Sequence, residues 1–140
     1  MQGAFLEELE VGQTAELKRT VAEGDLTAFA AVTGDDNPLH LDEAYAAATP
    51  FKGRVAHGML SAGYISAVLG TKLPGPGAVY VSQSLSFRRP VRIGDEVTAE
   101  AEVTAIDAAR GRVTFKTRCA VAGKTVVEGE AVVSVPRRPA

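Results

Sequence analysis

The stretch His57-Gly58-Met59-Leu60-Ser61-Ala62-Gly63-Tyr64-Ile65-Ser66-Ala67-Val68-Leu69 decides how this chain of 140 residues folds. It reads as a helix that is apolar on nearly all sides, so it is expected to be buried at the centre of the fold. Gly58, Ser61, Ala62, Gly63, Ser66 and Ala67 carry little bulk, which lets another backbone or a ligand come close. The run from Met59 to Leu69 is interrupted by Ser61, Gly63, Tyr64 and Ser66 and falls well short of the roughly 20 apolar residues that span a bilayer.

Downstream, Gly70 and Pro74-Gly75-Pro76-Gly77 end the helix, and the apolar period changes from about 3.6 to about 2. Val79, Val81, Leu85 and Phe87 alternate with Tyr80, Ser82, Ser84 and Ser86. Val97, Ala99, Ala101, Val103 and Ala105 alternate with Thr98, Glu100, Glu102 and Thr104. Both patterns predict half-buried strands; Val113 to Ala122 and Val126 to Val135 add two more, with turns at Ala109-Arg110-Gly111 and Ala122-Gly123-Lys124. Upstream, Leu9 to Val21 reads as extended. Asp25 is expected to cap a helix over Leu26 to Val32 that Gly34 ends, and Asp42 to cap a second over Glu43 to Ala48, stopped by Thr49-Pro50. One early strand, a helical region and four later strands make an α+β domain in which an antiparallel sheet wraps a central helix. A single domain over residues 1–140 is expected, with no repeat or linker.

Composition narrows the function classes. A formal net charge of −2 gives no electrostatic reason to expect nucleic acid. The segment from Met1 to Glu8 is acidic and lacks the basic-then-apolar order of a secretory signal, so the cytoplasm is the expected compartment and no membrane partner is expected. Cys119 is the single cysteine, which excludes an intramolecular disulfide and a cysteine cluster for zinc; its alternation with Phe115, Thr117 and Val121 reads as burial.

Polar chemistry concentrates in Thr33-Gly34-Asp35-Asp36-Asn37-Pro38-Leu39-His40-Leu41-Asp42, where Pro38 is expected to exclude regular helix. An imidazole exchanges protons near neutrality, and a carboxylate beside it can hold the same water. His40 and Asp35 are the candidate pair, with Asn37 orienting either one. The start of the central helix offers free backbone amides, and Gly58 has no side chain to keep a carbonyl oxygen away, so its amide is the candidate oxyanion donor. Asp, Asn and Pro are also ordinary turn residues, so the residues alone leave both readings open. His57 reads as an imidazole bonded to a backbone group near a helix start. No pair of histidines and acids has a usual metal-ligand spacing, so neither metal nor cofactor is expected.

Three blocks carry a resemblance. Asp35-Asp36-Asn37-Pro38-Leu39-His40-Leu41-Asp42 resembles the signature D-x-N-P-x-H-x-D of the MaoC-like, (R)-specific enoyl-CoA hydratases (the hydratase 2 motif). Val55-Ala56-His57-Gly58-Met59-Leu60 resembles their next block, and Gln83 to Val91 with Gly94-Asp95-Glu96-Val97 a third. The resemblance implies a hot-dog fold, usually a homodimer, and addition of water to trans-2-enoyl-CoA to give (3R)-3-hydroxyacyl-CoA. It assigns the water-activating pair to Asp35 and His40 and the oxyanion amide to Gly58, and leaves Asp36 in the variable position. Bacterial relatives carry a serine six positions after the histidine of the second block; Gly63 stands there, and Ser61 is the candidate supporting residue in its place, although about 200° round the helix from Gly63. Lys52, Arg54, Arg88, Arg89 and Arg92 are candidate cations for the phosphates of an acyl-CoA substrate. The same chemistry on an acyl carrier protein, as a (3R)-hydroxyacyl-ACP dehydratase, is the first alternative; a hot-dog thioesterase and a non-catalytic acyl-CoA-binding module follow.

Overall fold

The computed structural model describes residues 2–140; Met1, which opens the acidic N-terminal segment, lies outside them. A 3-10 turn at Leu6–Glu8 leads to strand β1 (Thr14–Thr20) and four helices, α1 (Glu23–Thr33), α2 (Pro38–Leu41), α3 (Glu43–Ala47) and α4 (Gly58–Thr71). Five strands follow: β2 (Val79–Gln83), β3 (Ser86–Phe87), β4 (Glu96–Asp107), β5 (Arg112–Val121) and β6 (Lys124–Ser134). They form one antiparallel sheet in the order β1-β4-β5-β6-β2, with β3 also on β6, and α4 packs on β1, β4, β5 and β6. This is the α+β hot-dog arrangement.

The strand pattern explains where α4 sits. Register places Val103 opposite Phe115 and Phe115 opposite Ala131, Ala101 opposite Thr117 and Thr117 opposite Gly129, and Ala99 opposite Cys119. Large and small residues thus alternate along the inner face, and Ile65, Val68 and Leu69 of α4 join the same buried core as Phe115 and Leu26. Burying a side chain such as Phe115 stabilises the fold by about 1.5–3 kcal/mol. The alternation in β4 holds through Val103 and stops at Ala105, which is exposed because a bulge between the two shifts the register.

The observed elements correct the sequence reading in five places. Helix α1 starts at Glu23, ahead of Asp25; the Asp25 carboxylate reaches back from the first turn to accept the Ala22 N–H at 2.8 Å. Pro38 does not exclude helix but opens one: in the first helical position its missing N–H would have no partner anyway, and the Asn37 side chain caps the turn by accepting from the Leu39 N–H at 3.0 Å. Helix α4 buries only one face, through Ser61, Ile65, Val68 and Leu69, while Met59, Gly63 and Ser66 are exposed.

The predicted strand over 79–87 splits into β2 and β3, giving five later strands instead of four. Ser84 and Leu85 cross β6 between them, with Ser84 N–H on Glu130 O at 2.9 Å and Ser84 Oγ accepting the Glu130 N–H at 3.0 Å. The crossing lies directly over Gly129, where a Cβ would stand 1.8 Å from the Ser84 carbonyl oxygen. Nor is this strand half-buried as expected: Val79, Val81 and Phe87 are exposed, because β2 is the sheet edge and faces the small-residue flank of α4 across open space. The Asp42 cap is as the sequence indicates, accepting from the Tyr45 N–H at 3.1 Å, and Gly34 ends α1 with φ of 82°.

Candidate active site

Two short segments build the site, the turn from Gly34 to His40 and the loop from Gly53 to His57 that enters α4. His40 lies on α2, 9% exposed, and its Nδ1–H donates to the Val55 carbonyl oxygen at 2.7 Å. Because a carbonyl only accepts, this bond fixes the tautomer and leaves Nε2 as a lone pair. The same loop holds the α2 backbone: Arg54 Nε–H donates to the His40 carbonyl at 2.7 Å while its terminal nitrogen pairs with Glu23 at 2.7 Å. Arg92 in turn ties the loop down through the Gly53 carbonyl at 3.2 Å.

Asp35 is exposed at the C-terminal end of α1. Its carboxylate accepts the Asn37 N–H at 3.3 Å, and its backbone carbonyl accepts from His57 Nε2–H at 3.0 Å. His57 is 2% exposed, with its ring against Phe29 (centroids 4.5 Å) and against His40 (centroids 3.9 Å, planes 30° apart). Ligating atoms of Asp35, His40 and His57 all lie within 4.8 Å of one another. The donor types suit a divalent cation, but its bonds of about 2.0–2.2 Å require the donors to move together. His57 Nε2 also carries the proton given to the Asp35 carbonyl, so that nitrogen has no lone pair to offer a metal.

Beside this cluster α4 begins. His57 is its N-cap residue but makes no side-chain cap bond, so the first amides, Gly58 among them, have no partner within the helix. Gly58, His40, His57 and Ser61 line one cavity of about 470 Å³, together with Phe51, Phe87, Arg88 and Arg89. A Cβ on Gly58 would lie 2.6 Å from the Phe87 ring, so glycine is what lets the ring close over the helix start. Met59 is shared with a second cavity of about 500 Å³, bounded by Ala62, Gly63 and Ser66 of α4 and by Tyr80, Val81 and Leu85 across from them.

Asp35 and His40 are therefore brought together beside His57, with Asn37 supporting the turn, and His40 shares its cavity with Gly58; Asp35 is not among the residues that line that cavity. Ser61 is buried on the wall of the first cavity, whereas Gly63 opens onto the second, as their angular separation on the helix requires. Asp36 takes no part in the cluster. Of the five candidate cations, Arg54 and Arg92 bond backbone carbonyls and do not line the first cavity; Arg88, paired with Glu128 at 3.3 Å, and Arg89, which donates to the Thr125 carbonyl at 2.9 Å, line it, and Lys52 is exposed at φ of 63°. The Val55 carbonyl and the Arg54 clamp escaped the sequence reading, since a backbone acceptor 15 residues away leaves no local pattern. Cys119 is fully buried, as expected. Burial and, less strongly, the Glu100 carboxylate push its thiol from 9.0 up to about 12, and it donates to the Ser61 carbonyl at 3.4 Å. Burial likewise raises the Tyr80 hydroxyl to about 12. Among the described residues, no helix is long and apolar enough to cross a membrane.

A family model described as a MaoC like domain matches residues 5–129. An (R)-specific enoyl-CoA hydratase of Rhodospirillum rubrum is 58% identical over 134 residues, 96% of this chain and 93% of that one. A 3-hydroxybutyryl-CoA dehydratase of Methylorubrum extorquens is 52% identical over 134 residues, 96% of this chain and 85% of that one. Among solved structures, the unliganded R-hydratase PhaJ1 of Pseudomonas aeruginosa matches with a TM-score of 0.92 at 52% identity, covering 97% of this chain and 88% of that one. The (R)-hydratase of Aeromonas caviae involved in PHA biosynthesis matches at 0.90 and 50% identity, covering 93% and 99%.

Proposed function

The chain belongs to the MaoC-like domain family, and from that membership we propose that it works as an (R)-specific enoyl-CoA hydratase, a hydro-lyase, with Asp35 and His40 as its catalytic residues. It adds water across a trans-2-enoyl-CoA to give (3R)-3-hydroxyacyl-CoA, reversibly. The observation that carries the residue assignment is a His40 ring whose Nδ1 is committed to the Val55 carbonyl, leaving Nε2 free, with the Asp35 carboxylate within 4.8 Å of the ring beside the open start of α4.

In this reading the water sits between the Asp35 carboxylate and His40 Nε2. Together they take one of its protons as its oxygen bonds to C3 of the substrate. The π electrons move onto the thioester oxygen as an enolate, which the Gly58 N–H and the positive end of α4 stabilise. The pair then returns a proton to C2 on the same face, so one water is consumed and no other reactant is needed. Asn37 supports the pair through the turn and Ser61 through the cavity wall. Arg88 and Arg89 meet the CoA phosphates, and the acyl chain runs past Met59 into the second cavity.

The chain functions as one domain, with no cofactor, in cytoplasmic fatty-acid metabolism. Its assembly is a homodimer. That part of the reading is supported by the open edge of β2, where exposed Val79, Tyr80 and Val81 lie next to the bare flank of α4. The test of carrier and reaction is to supply the same enoyl group on CoA and on acyl carrier protein while titrating released thiol. Faster turnover of the CoA ester with no thiol release is the expected result. Preference for the carrier protein would favour the dehydratase alternative, and free CoA a thioesterase.

A further inference from the structure

We infer that His57 is a positioning residue, whose imidazole holds the Asp35 backbone where water activation needs it. The inference rests on Asp35 acting on that water. The sense of the bond is fixed, since Nε2–H must be the donor to the Asp35 carbonyl at 3.0 Å. Its other nitrogen, Nδ1, is thereby a lone pair, and among the described residues it is the one buried side-chain nitrogen or oxygen with no partner. An imidazole kept for packing alone gains nothing from a buried acceptor left empty, because an apolar ring would fill the space without that penalty. The orphaned nitrogen therefore points to a use for the other one.

Two further observations agree. Phe29 and His40 both lie against the ring, at centroid distances of 4.5 and 3.9 Å, and these contacts restrain it from swinging away from Asp35. And the remaining hydrogen bonds of Asp35 stay within its own turn: its N–H donates to Thr33 Oγ1 at 3.1 Å and its carboxylate accepts from Asn37 at 3.3 Å. Among the described residues the His57 bond is the one that ties Asp35 to another part of the fold, the start of the helix that also carries Gly58. His57 thus sets the distance between the group that activates water and the amide that receives the enolate.

The test compares three substitutions with Asp35→Asn alongside, using crotonyl-CoA hydration and thermal unfolding. His57→Phe keeps the ring and its stacking but has no donor. His57→Asn puts its amide at the level of Nδ1, too short to reach Asp35, and His57→Gln puts an N–H at the level of Nε2. A misplacement of about 1 Å at a reacting group costs on the order of 100-fold, so the Phe and Asn variants are expected to lose about 10–100-fold in kcat with KM within about twofold. The Phe variant should melt no lower than the parent, and the Gln variant should recover kcat to within about fivefold. A Phe variant within about twofold of the parent kcat, a Gln variant no better than Asn, or losses that merely follow the melting temperature would overturn the inference. Should Asp35→Asn keep the parent rate, the catalytic assignment itself fails and the inference with it; an inactive Asp35→Asn beside a fully active His57→Phe sinks the role of His57 alone.

Discussion

The two cavities share Met59 and little else. Around the first, the functional groups are tied by hydrogen bonds from distant parts of the chain: Val55 holds the His40 ring, Arg54 holds its backbone and His57 holds Asp35. The second is shaped by what side chains leave out, with Gly63, Ala62 and Ser66 on one wall and an exposed sheet edge on the other. The difference matches two demands. Proton transfer needs atoms fixed to a fraction of an ångström, whereas an acyl chain needs only apolar room.

The largest effect is expected at the first cavity. In the proposed mechanism His40→Ala removes the lone pair that meets the water, and it should lower kcat for crotonyl-CoA by about 10²–10⁴-fold in steady-state assays, with KM close to the parent value. Filling the second cavity tests the other half: Gly63→Leu should lower kcat/KM for a long trans-2-enoyl-CoA by about 10–200-fold while crotonyl-CoA turnover changes about twofold at most. Equal losses on both substrates would show that the acyl chain does not run past Gly63.

Two smaller effects concern the walls. Gly129→Ala drives a methyl group into the Ser84 carbonyl where β2 crosses to β3, and overpacking of this kind costs about 1–3 kcal/mol, read as a melting temperature several degrees lower. The raised acids predict alkaline lability. Cys119 ionises near its ordinary 9.0 when unfolded but only near 12 when folded, so between those values the unfolded chain binds fewer protons and stability falls as pH rises. Below pH 9 the contribution is fully present. Tyr80 acts in the same sense from 10.0 to about 12. Cys119→Ala should flatten the decline in melting temperature that starts near pH 9.0, and an unchanged slope would remove the thiol from this account.

What was legible in the sequence follows the same division. The period of β4 and β5, the small-residue helix and the block from Asp35 to His40 are local patterns, and local patterns survive in one dimension. The packing of the 79–87 segment escapes the pattern because alternation reports which residues share a face, and at a sheet edge parted from α4 by a cavity that face stays open. Pro38 is ambiguous in the sequence because its effect depends on position: forbidding inside a helix, favourable at its first residue. The cations show the limit most clearly. By residue type Arg54, Arg92, Arg88 and Arg89 are indistinguishable in the sequence, yet Arg54 is anchored on the His40 carbonyl and Glu23 and Arg92 on the Gly53 carbonyl, while Arg88 and Arg89 line the cavity from anchors on Glu128 and the Thr125 carbonyl. Only the three-dimensional path of the loop separates them.

Asp35 carries the proposed water activation, and its neighbour Asp36 supplies the control. The most direct measurement follows the loss of enoyl-thioester absorbance with crotonyl-CoA for the parent, Asp35→Asn and Asp36→Asn, and determines the chirality of the product. The account predicts a 3R product, a loss of about 10²–10⁴-fold in Asp35→Asn, and a rate within about twofold of the parent in Asp36→Asn. A 3S product, or two variants that behave alike, would contradict it.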